Sequence, residues 1–206
     1  MKSLFINTST KKLIISIVLD DKVKYLYFND TNTDLSINIM PIIDEAFSKT
    51  NLTPKDIDTI FVTNGPGSFT GIRIGLTVAK VMAWSLKIKV IPISSLELMA
   101  SGSVERLIAP LIDARRDYVY AAVYDSELNP IIADSHISFD EFKNKTKDKD
   151  VIYVSDDIFD FKTATPGYDI LKVINKHKND SGVNPHELNP NYLKLTEAEE
   201  RFYEGR

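Results

Sequence analysis

Apolar and polar positions along the 206-residue chain fall into blocks with two different periods. Leu4-Phe5-Ile6 and Leu13 to Leu19 are apolar, β-branched runs separated by the polar stretch Asn7 to Lys12, and Asp20-Asp21 closes the second. A third run covers Val23 to Phe28. Three such runs joined by short polar turns predict a β-meander. From Asp34 the period lengthens. Leu35, Ile39, Ile42, Ile43, Ala46 and Phe47 recur at helical spacing and fill an arc of about 160° at about 100° per residue. Pro41 lies inside this pattern. Either the helix starts near Met40 with Pro41 in its first turn, or a longer helix kinks there.

Ile57 to Thr63 reads as the next strand, fed by the turn at Thr53-Pro54. The loop Asn64-Gly-Pro-Gly-Ser-Phe-Thr-Gly71 then launches a long apolar helix to about Leu86. Lys89 to Ile93 predicts another strand, and Ser94-Ser95 can cap a helix running to Ala100. Strand, helix, strand, helix implies parallel crossovers on a sheet. Gly102-Ser103 marks a division, after which strands resume at Leu107 to Ile112, Tyr118 to Tyr124 and Val151 to Val154, with a helix over Gly167 to Lys178. From Pro190 a short extended piece leads into an acidic helical end. The expectation is two lobes, residues 1–104 and 105–206, with the terminal helix packing back on the first. A meander followed by crossovers in each half suggests two related halves, the second degenerate.

The helix after the glycine loop carries more apolar surface than one buried side needs. Its apolar or small residues spread from Val81 and Ile74 through Val78, Met82, Leu86, Ala79 and Ile72 to Leu76, an arc of about 220°, where covering a sheet takes little more than about 100°. Gly71, Gly75, Ala79 and Ala83 form a small-residue stripe at i+4 spacing, where another helix could approach closely. Two readings follow: a helix enclosed on several sides within the chain, or a surface for another protein. On the second, the docking surface comprises the stripe with Val78 and Met82, and the first helix at Leu35, Ile39, Met40, Ile43 and Phe47.

Two loops could meet a phosphate. Asn7-Thr8-Ser9-Thr10 offers hydroxyls and backbone N–H groups, although it also reads as a polar hairpin turn. Gly65 and Gly67 can take positive φ or admit another backbone, and Ser68 or Thr70 can cap the following helix, whose positive end suits an anion. The loop is neither a Walker A sequence nor Gly-x-Gly-x-x-Gly. A Mg²⁺–nucleotide site calls for a carboxylate where Asn7 offers an amide.

Composition removes several classes. There is no cysteine, which excludes disulfides and thiolate metal sites. His136, His177 and His186 are the only histidines and have no i+3 or i+4 partner, so no helical zinc motif exists. No Gly-x-Ser-x-Gly elbow is present. Asp113-Ala-Arg-Arg116 joins two strands of a hairpin, as an exposed turn or a ligand contact. Net charge is −4, and the small basic groupings at Lys22 and Lys24, Lys87 and Lys89, and Lys172 to Lys178 disfavour autonomous nucleic-acid binding. No apolar stretch approaches about 20 residues and the N-terminal run is too short for a signal peptide, so no membrane association and a cytoplasmic location are expected.

Taken in order, Asn7-Thr-Ser-Thr, Pro41, Asn64-Gly-Pro-Gly-Ser-Phe-Thr-Gly-Ile-Arg-Ile-Gly75, Pro92-Ile-Ser-Ser-Leu96, Asp113-Ala-Arg115 with Tyr118-Val-Tyr120, and Pro190-Asn-Tyr-Leu193 resemble the TsaB (YeaZ) family from end to end. The resemblance implies an actin-like (RNase H-like, ASKHA) α/β fold of two lobes, each a mixed sheet with helices. It also implies a role in forming N6-threonylcarbamoyladenosine at position 37 of tRNAs that read codons starting with A. In such a system the chain is a non-catalytic subunit that pairs with TsaD through the two helices above, with TsaE alongside. ATP or ADP and metal are then expected on the partner subunits and no cofactor on this chain alone. tRNA is met only through the complex, and a homodimer can form when the chain is alone. TsaD-like proteins hold metal through His-x-x-x-His, which has no match here. Two departures from the TsaB pattern, Asn7 where Asp is usual and Asp34 before Leu35-Ser36 where a His is common, weaken a Mg²⁺–nucleotide role. The alternatives are an ATPase or kinase-like enzyme of the actin-like class and a peptidase.

Overall fold

A computed structural model describes residues 1–31, 34–104 and 106–194; the acidic helical end expected after Leu193 lies largely outside these residues. Strands β1 (Lys2–Asn7), β2 (Lys12–Leu19) and β3 (Lys22–Asp30) form the expected antiparallel meander. Helix α1 (Leu35–Thr50) crosses over to β4 (Thr59–Gly65), and α2 (Phe69–Leu86) crosses to β5 (Lys89–Ser94). β1, β4 and β5 run parallel, giving a sheet of order β3-β2-β1-β4-β5. A short α3 (Ser95–Ala100) closes the first half, its N-terminus capped by the Ser94 hydroxyl, which accepts from Leu96 and Glu97 N–H.

The second sheet repeats the plan. β6 (Leu107–Asp113), β7 (Tyr118–Asp125) and β8 (Pro130–Ser138) form a meander, α4 (Phe139–Thr146) crosses over, and β9 (Ile152–Val154) lies parallel to β6. Its order, β8-β7-β6-β9, matches β3-β2-β1-β4 strand for strand. β8 and α4 are the elements that periodicity misses. β8 is an edge strand without a clean alternation of burial, and only Phe142 and Thr146 of α4 are buried. Helix α5 (Ile170–His177) completes the half.

Three cores follow from these layers. Leu4, Ile6, Ile15, Ile60 and Val62 point from one face of the first sheet into α1 and α2. Phe5, Ile14, Phe61 and Ile91 point from the other face toward α3, α5 and the inner face of the second sheet, where Ile108, Ala122 and Val154 meet them. With both faces covered, β1, β2 and β4 become near-continuous apolar runs rather than alternating ones. Fully burying each Leu, Ile or Phe contributes about 1.5–3 kcal/mol, so this shared layer binds the halves tightly. The third core, around Leu111, Val123 and Phe142, covers the outer face of the second sheet.

α1 is continuous through Pro41. Of the two alternatives for this segment, the longer helix is the one that forms. Pro41 lies on the solvent side, while Leu35 and Ile39 before it and Ile42, Ile43, Ala46 and Phe47 after it are buried. Burial on both sides of the proline outweighs its cost of about 3 kcal/mol.

Candidate functional site

The loop between β4 and α2 is shaped by what presses on it. Gly67 has φ +146°, and a Cβ there would lie 2.0 Å from the Ser9 carbonyl oxygen. At Gly71 a Cβ would lie 2.0 Å from the Thr8 carbonyl oxygen, and at Gly75 it would lie 2.2 Å from the Thr8 hydroxyl. Gly65, at φ +118°, faces the Asn191 carbonyl oxygen at 2.4 Å on the opposite side. Each glycine therefore admits a specific backbone or side-chain atom of the chain itself. Ser68 N–H donates to the Ser9 carbonyl at 2.8 Å, and the Ser68 hydroxyl caps α2 by accepting from Gly71 N–H.

The opposing turn, Asn7 to Thr10, is buried and internally bonded. Asn7 Nδ2 donates to the Lys12 carbonyl at 2.7 Å and to Thr10 Oγ1 at 2.9 Å. Asn7 Oδ1 accepts from the hydroxyls of Thr63 at 2.8 Å and Ser9 at 2.9 Å. Thr8 Oγ1 donates to the Gly71 carbonyl at 2.7 Å, and Ser9 Oγ lies 2.6 Å from Ser95 Oγ. Of the six residues expected at phosphate loops, Ser9, Gly67 and Ser68 border an open cleft between the halves, while Asn7, Thr8 and Gly65 do not. Asn7 and Thr8 spend their polar groups on the chain itself.

That cleft has a volume of about 550 Å³. Lys11, Asp113, Arg115, Asp156 and Asp157 bring both charges to it, with Phe69, Met99, Ile112 and Tyr120 as its apolar wall. Lys11 pairs with Asp157 at 2.8 Å, and Asp157 also accepts from Asp113 N–H. Burial pushes the Tyr120 hydroxyl above its ordinary range. Sequence reasoning isolates Asp113 to Arg116 as a turn and reads Asp156-Asp157 most simply as a loop, but does not single out Lys11; the topology brings Lys11 in from the β1–β2 turn and Asp156-Asp157 from beyond β9. Among the described residues no group of three or more His, Asp or Glu is arranged to hold a metal.

The small-residue stripe requires a correction. Gly71, Gly75, Ala79 and Ala83 are all buried, the glycines against Thr8 and the alanines in the first core, so they are not presented to another protein. The same holds for Leu35, Ile39, Ile43 and Phe47, which are core residues. Val78 and Met82 are half-buried at its edge, and Met40 is 51% exposed. The outward apolar residues of α1 and α2 are instead Ile37 (70% exposed), Met40, Val81 (57%) and Trp84 (62%), with Phe69 (53%) at the start of α2. Of these, Met40 and Val81 line an apolar groove of about 270 Å³ that Phe47, Pro54, Met82 and Leu86 complete, while Trp84 meets the His186 ring. The excess width of the α2 apolar arc is real, but it lies on the Val81–Ile74–Val78 side, next to α1. Helical periodicity places Val81 at the arc's edge; only burial separates core from outward apolar residues.

Comparison with known proteins gives a consistent family. A family model described as TsaD, tRNA N6-adenosine threonylcarbamoyltransferase, matches residues 29–171. The tRNA threonylcarbamoyladenosine biosynthesis protein TsaB of Bacillus subtilis (strain 168) is 31% identical over 230 residues, covering 100% of both chains. TsaB of Escherichia coli (strain K12) is 31% identical over 136 residues, 64% of this chain and 58% of that protein. In fold, the chain superposes on YeaZ from Pseudomonas aeruginosa with a TM-score of 0.76 at 18% identity, covering 93% of this chain and 99% of that one. The two-sheet architecture is thus the actin-like one, and with an end-to-end relative above 30% identity the chain belongs to the TsaB (YeaZ) family.

Proposed function

We propose that this chain is a non-catalytic subunit in the biosynthesis of N6-threonylcarbamoyladenosine at position 37 of tRNA, and that it acts by docking onto TsaD through the outward faces of α1 and α2. The observation that carries this reading is Met40 and Val81 on the walls of the α1–α2 groove, apolar and open to solvent, with Ile37 exposed on α1 one turn before Met40. An exposed apolar patch beside a groove, rather than single scattered residues, marks an interaction surface. The family names support the pathway, and the family-model match supports a partner of related fold. TsaE acts alongside, nucleotide and metal reside on the partners, and tRNA is met through the assembled complex in the cytoplasm. In the absence of TsaD the same face can pair two copies of this chain.

The test uses outward residues only, because Val78 and Met82 also serve the core. Ile37→Glu and Val81→Glu should fold normally yet fail to co-elute with TsaD or to restore modification of tRNA in a reconstituted system. Retention of both would remove the docking reading. A second reading, an ATPase or kinase-like enzyme, is motivated by the mixed-charge cleft with Lys11 and Arg115. Titration calorimetry of the isolated chain with ATP and Mg²⁺ decides it: micromolar binding lost on Arg115→Ala supports an enzyme, and absence of heat supports the subunit.

A further inference from the structure

The segment after α5 leaves the second half and runs back along α2. Val183 N–H donates to the Val90 carbonyl at 2.9 Å, adding a single bridge to the free edge of β5. A short 3₁₀ turn, Pro185–Glu187, then lies against α2: the Lys80 ammonium donates to the His186 carbonyl, and the His186 ring meets Trp84 edge-on at 6.4 Å. Leu188 is buried in the first core. Beyond it, Asn191 N–H donates to the Asn64 carbonyl at 2.7 Å, Arg73 Nε donates to the Tyr192 hydroxyl at 2.8 Å, and the Tyr192 ring stacks on Phe69 at 5.0 Å.

The distribution of these contacts is uneven. Leu188 is the one deeply buried anchor among residues 183–194; Val183 and Tyr192 pack half-buried against the edge of the first core, and the remaining contacts are hydrogen bonds and ring contacts at the surface. Segments held this way open at lower free energy than the core they lie on. Their points of attachment are not incidental. Asn191 sits on Asn64 and Gly65, the entry to the glycine loop, and Phe69 is both the first residue of α2 and a wall of the interlobe cleft. Phe69 also lies under the Arg73 guanidinium at 3.8 Å, so one ring joins strap, helix and cleft.

The geometry points to a latch: residues 183–194 form a strap whose seating on Asn64–Gly65 and Phe69 fixes the glycine loop, the first turn of α2 and the cleft wall, and whose release loosens all three together. Gly65 is glycine because a side chain there would meet the seated strap. Seated, the strap holds Phe69 against the Tyr192 ring and the Arg73 guanidinium that bonds Tyr192; released, Phe69 loses the Tyr192 ring and becomes free to move relative to the cleft. Access to the cleft and the shape of α2's outward face are then set by one segment remote in sequence from both.

Amide hydrogen exchange on the full chain tests this, with Tyr192→Ala removing the ring and hydroxyl and Asn191→Pro removing the donor to Asn64. Both positions are partly exposed, so folding should survive. Expected is a rise of at least about tenfold in exchange at Ser68, Gly71 and Ile72, the amides of the loop and first turn, with β1 and β4 unchanged. Trp84, the single tryptophan, should become more open to acrylamide quenching in the same variants. Faster exchange confined to residues 189–194 overturns the latch, because the strap would then be a passive tail. Exchange rising equally in β1 and β4 also overturns it, because the strap would then be inseparable from the core.

Discussion

Asn7 offers the sharpest test of how the site region is held. Replacing it with Asp changes one NH₂ to an oxygen and leaves shape untouched. The side chain is fully buried, and its amide is the donor to the Lys12 carbonyl and to Thr10 Oγ1. Thr10 has a rotatable hydroxyl and can turn to donate instead. That hydroxyl now donates to the Lys12 carbonyl at 3.3 Å, so on turning it leaves the carbonyl without either donor and facing a carboxylate oxygen at the distance where the amide now sits. An unsatisfied buried acceptor costs about 1–3 kcal/mol, and a buried charge without a cation adds to it. The Lys12 ammonium does not help, because it is committed to Asp30 at 2.5 Å. The Ser9 and Thr63 hydroxyls already donate to this side chain and bind a carboxylate more strongly, returning part of the loss. The balance is a destabilisation of about 2–4 kcal/mol at neutral pH, or a fall in melting temperature of about 5–15 °C for a chain of this size. The penalty has a definite pH dependence. The introduced acid has a folded pKa raised above its unfolded value near 3.9, so the charge penalty is absent below that value and grows as pH rises through the folded pKa. Urea unfolding followed by circular dichroism at pH 5 and pH 8 checks both parts. A variant within about 0.5 kcal/mol of the parent at both pH values would refute the assignment of Asn7 as an obligatory donor.

Gly67→Ala and Gly71→Ala each place a methyl 2.0 Å from a carbonyl oxygen of the Asn7–Thr10 turn, so each should cost about 2–4 kcal/mol in urea unfolding, more than an unstrained helix position would gain from alanine. Ile37→Glu and Val81→Glu, by contrast, should change stability by no more than about 0.5 kcal/mol while abolishing the TsaD complex, which separates surface from core in one comparison. Glu97 is buried at the seam between the halves; burial alone would raise it, but hydrogen bonds from His177 and Lys176 hold it below the usual carboxylate range, and Glu97 in turn holds His177 above the ordinary histidine range. The His177 contribution is therefore fully present below about pH 6.5 and lost as pH rises through its raised folded pKa; melting temperatures at pH 6 and pH 9 should converge in Glu97→Gln and differ in the parent.

Local chemistry made much of this protein legible. The strand runs of the first half, the helical period from Leu35 to Phe47, a cap at Ser68 or Thr70 and the capacity of Gly65 and Gly67 for positive φ follow from side-chain periodicity, hydroxyl capping and the lack of a Cβ, all of which act within a few residues. The long motif from Asn64 to Gly75, taken with the shorter motifs before and after it, carried the resemblance to the family. Other features were decided by which segments meet. Gly71 and Gly75 look the same in sequence whether they face a partner or Thr8; the fold brings Thr8 from more than sixty residues away to fill the stripe. β8 and α4 are half-exposed and bury too few side chains to impose a period, so pairing with β7 and packing on the second sheet create them. The cleft charges come from three separate turns, and the strap returns from beyond α5 to the loop after β4. The sequence alone determined which segments are strand or helix in the first half and that Gly65 and Gly67 sit where positive φ or a close approach is available. Only the tertiary structure decided which apolar residues of α1 and α2 remain outside, because burial is a property of contacts between segments distant along the chain.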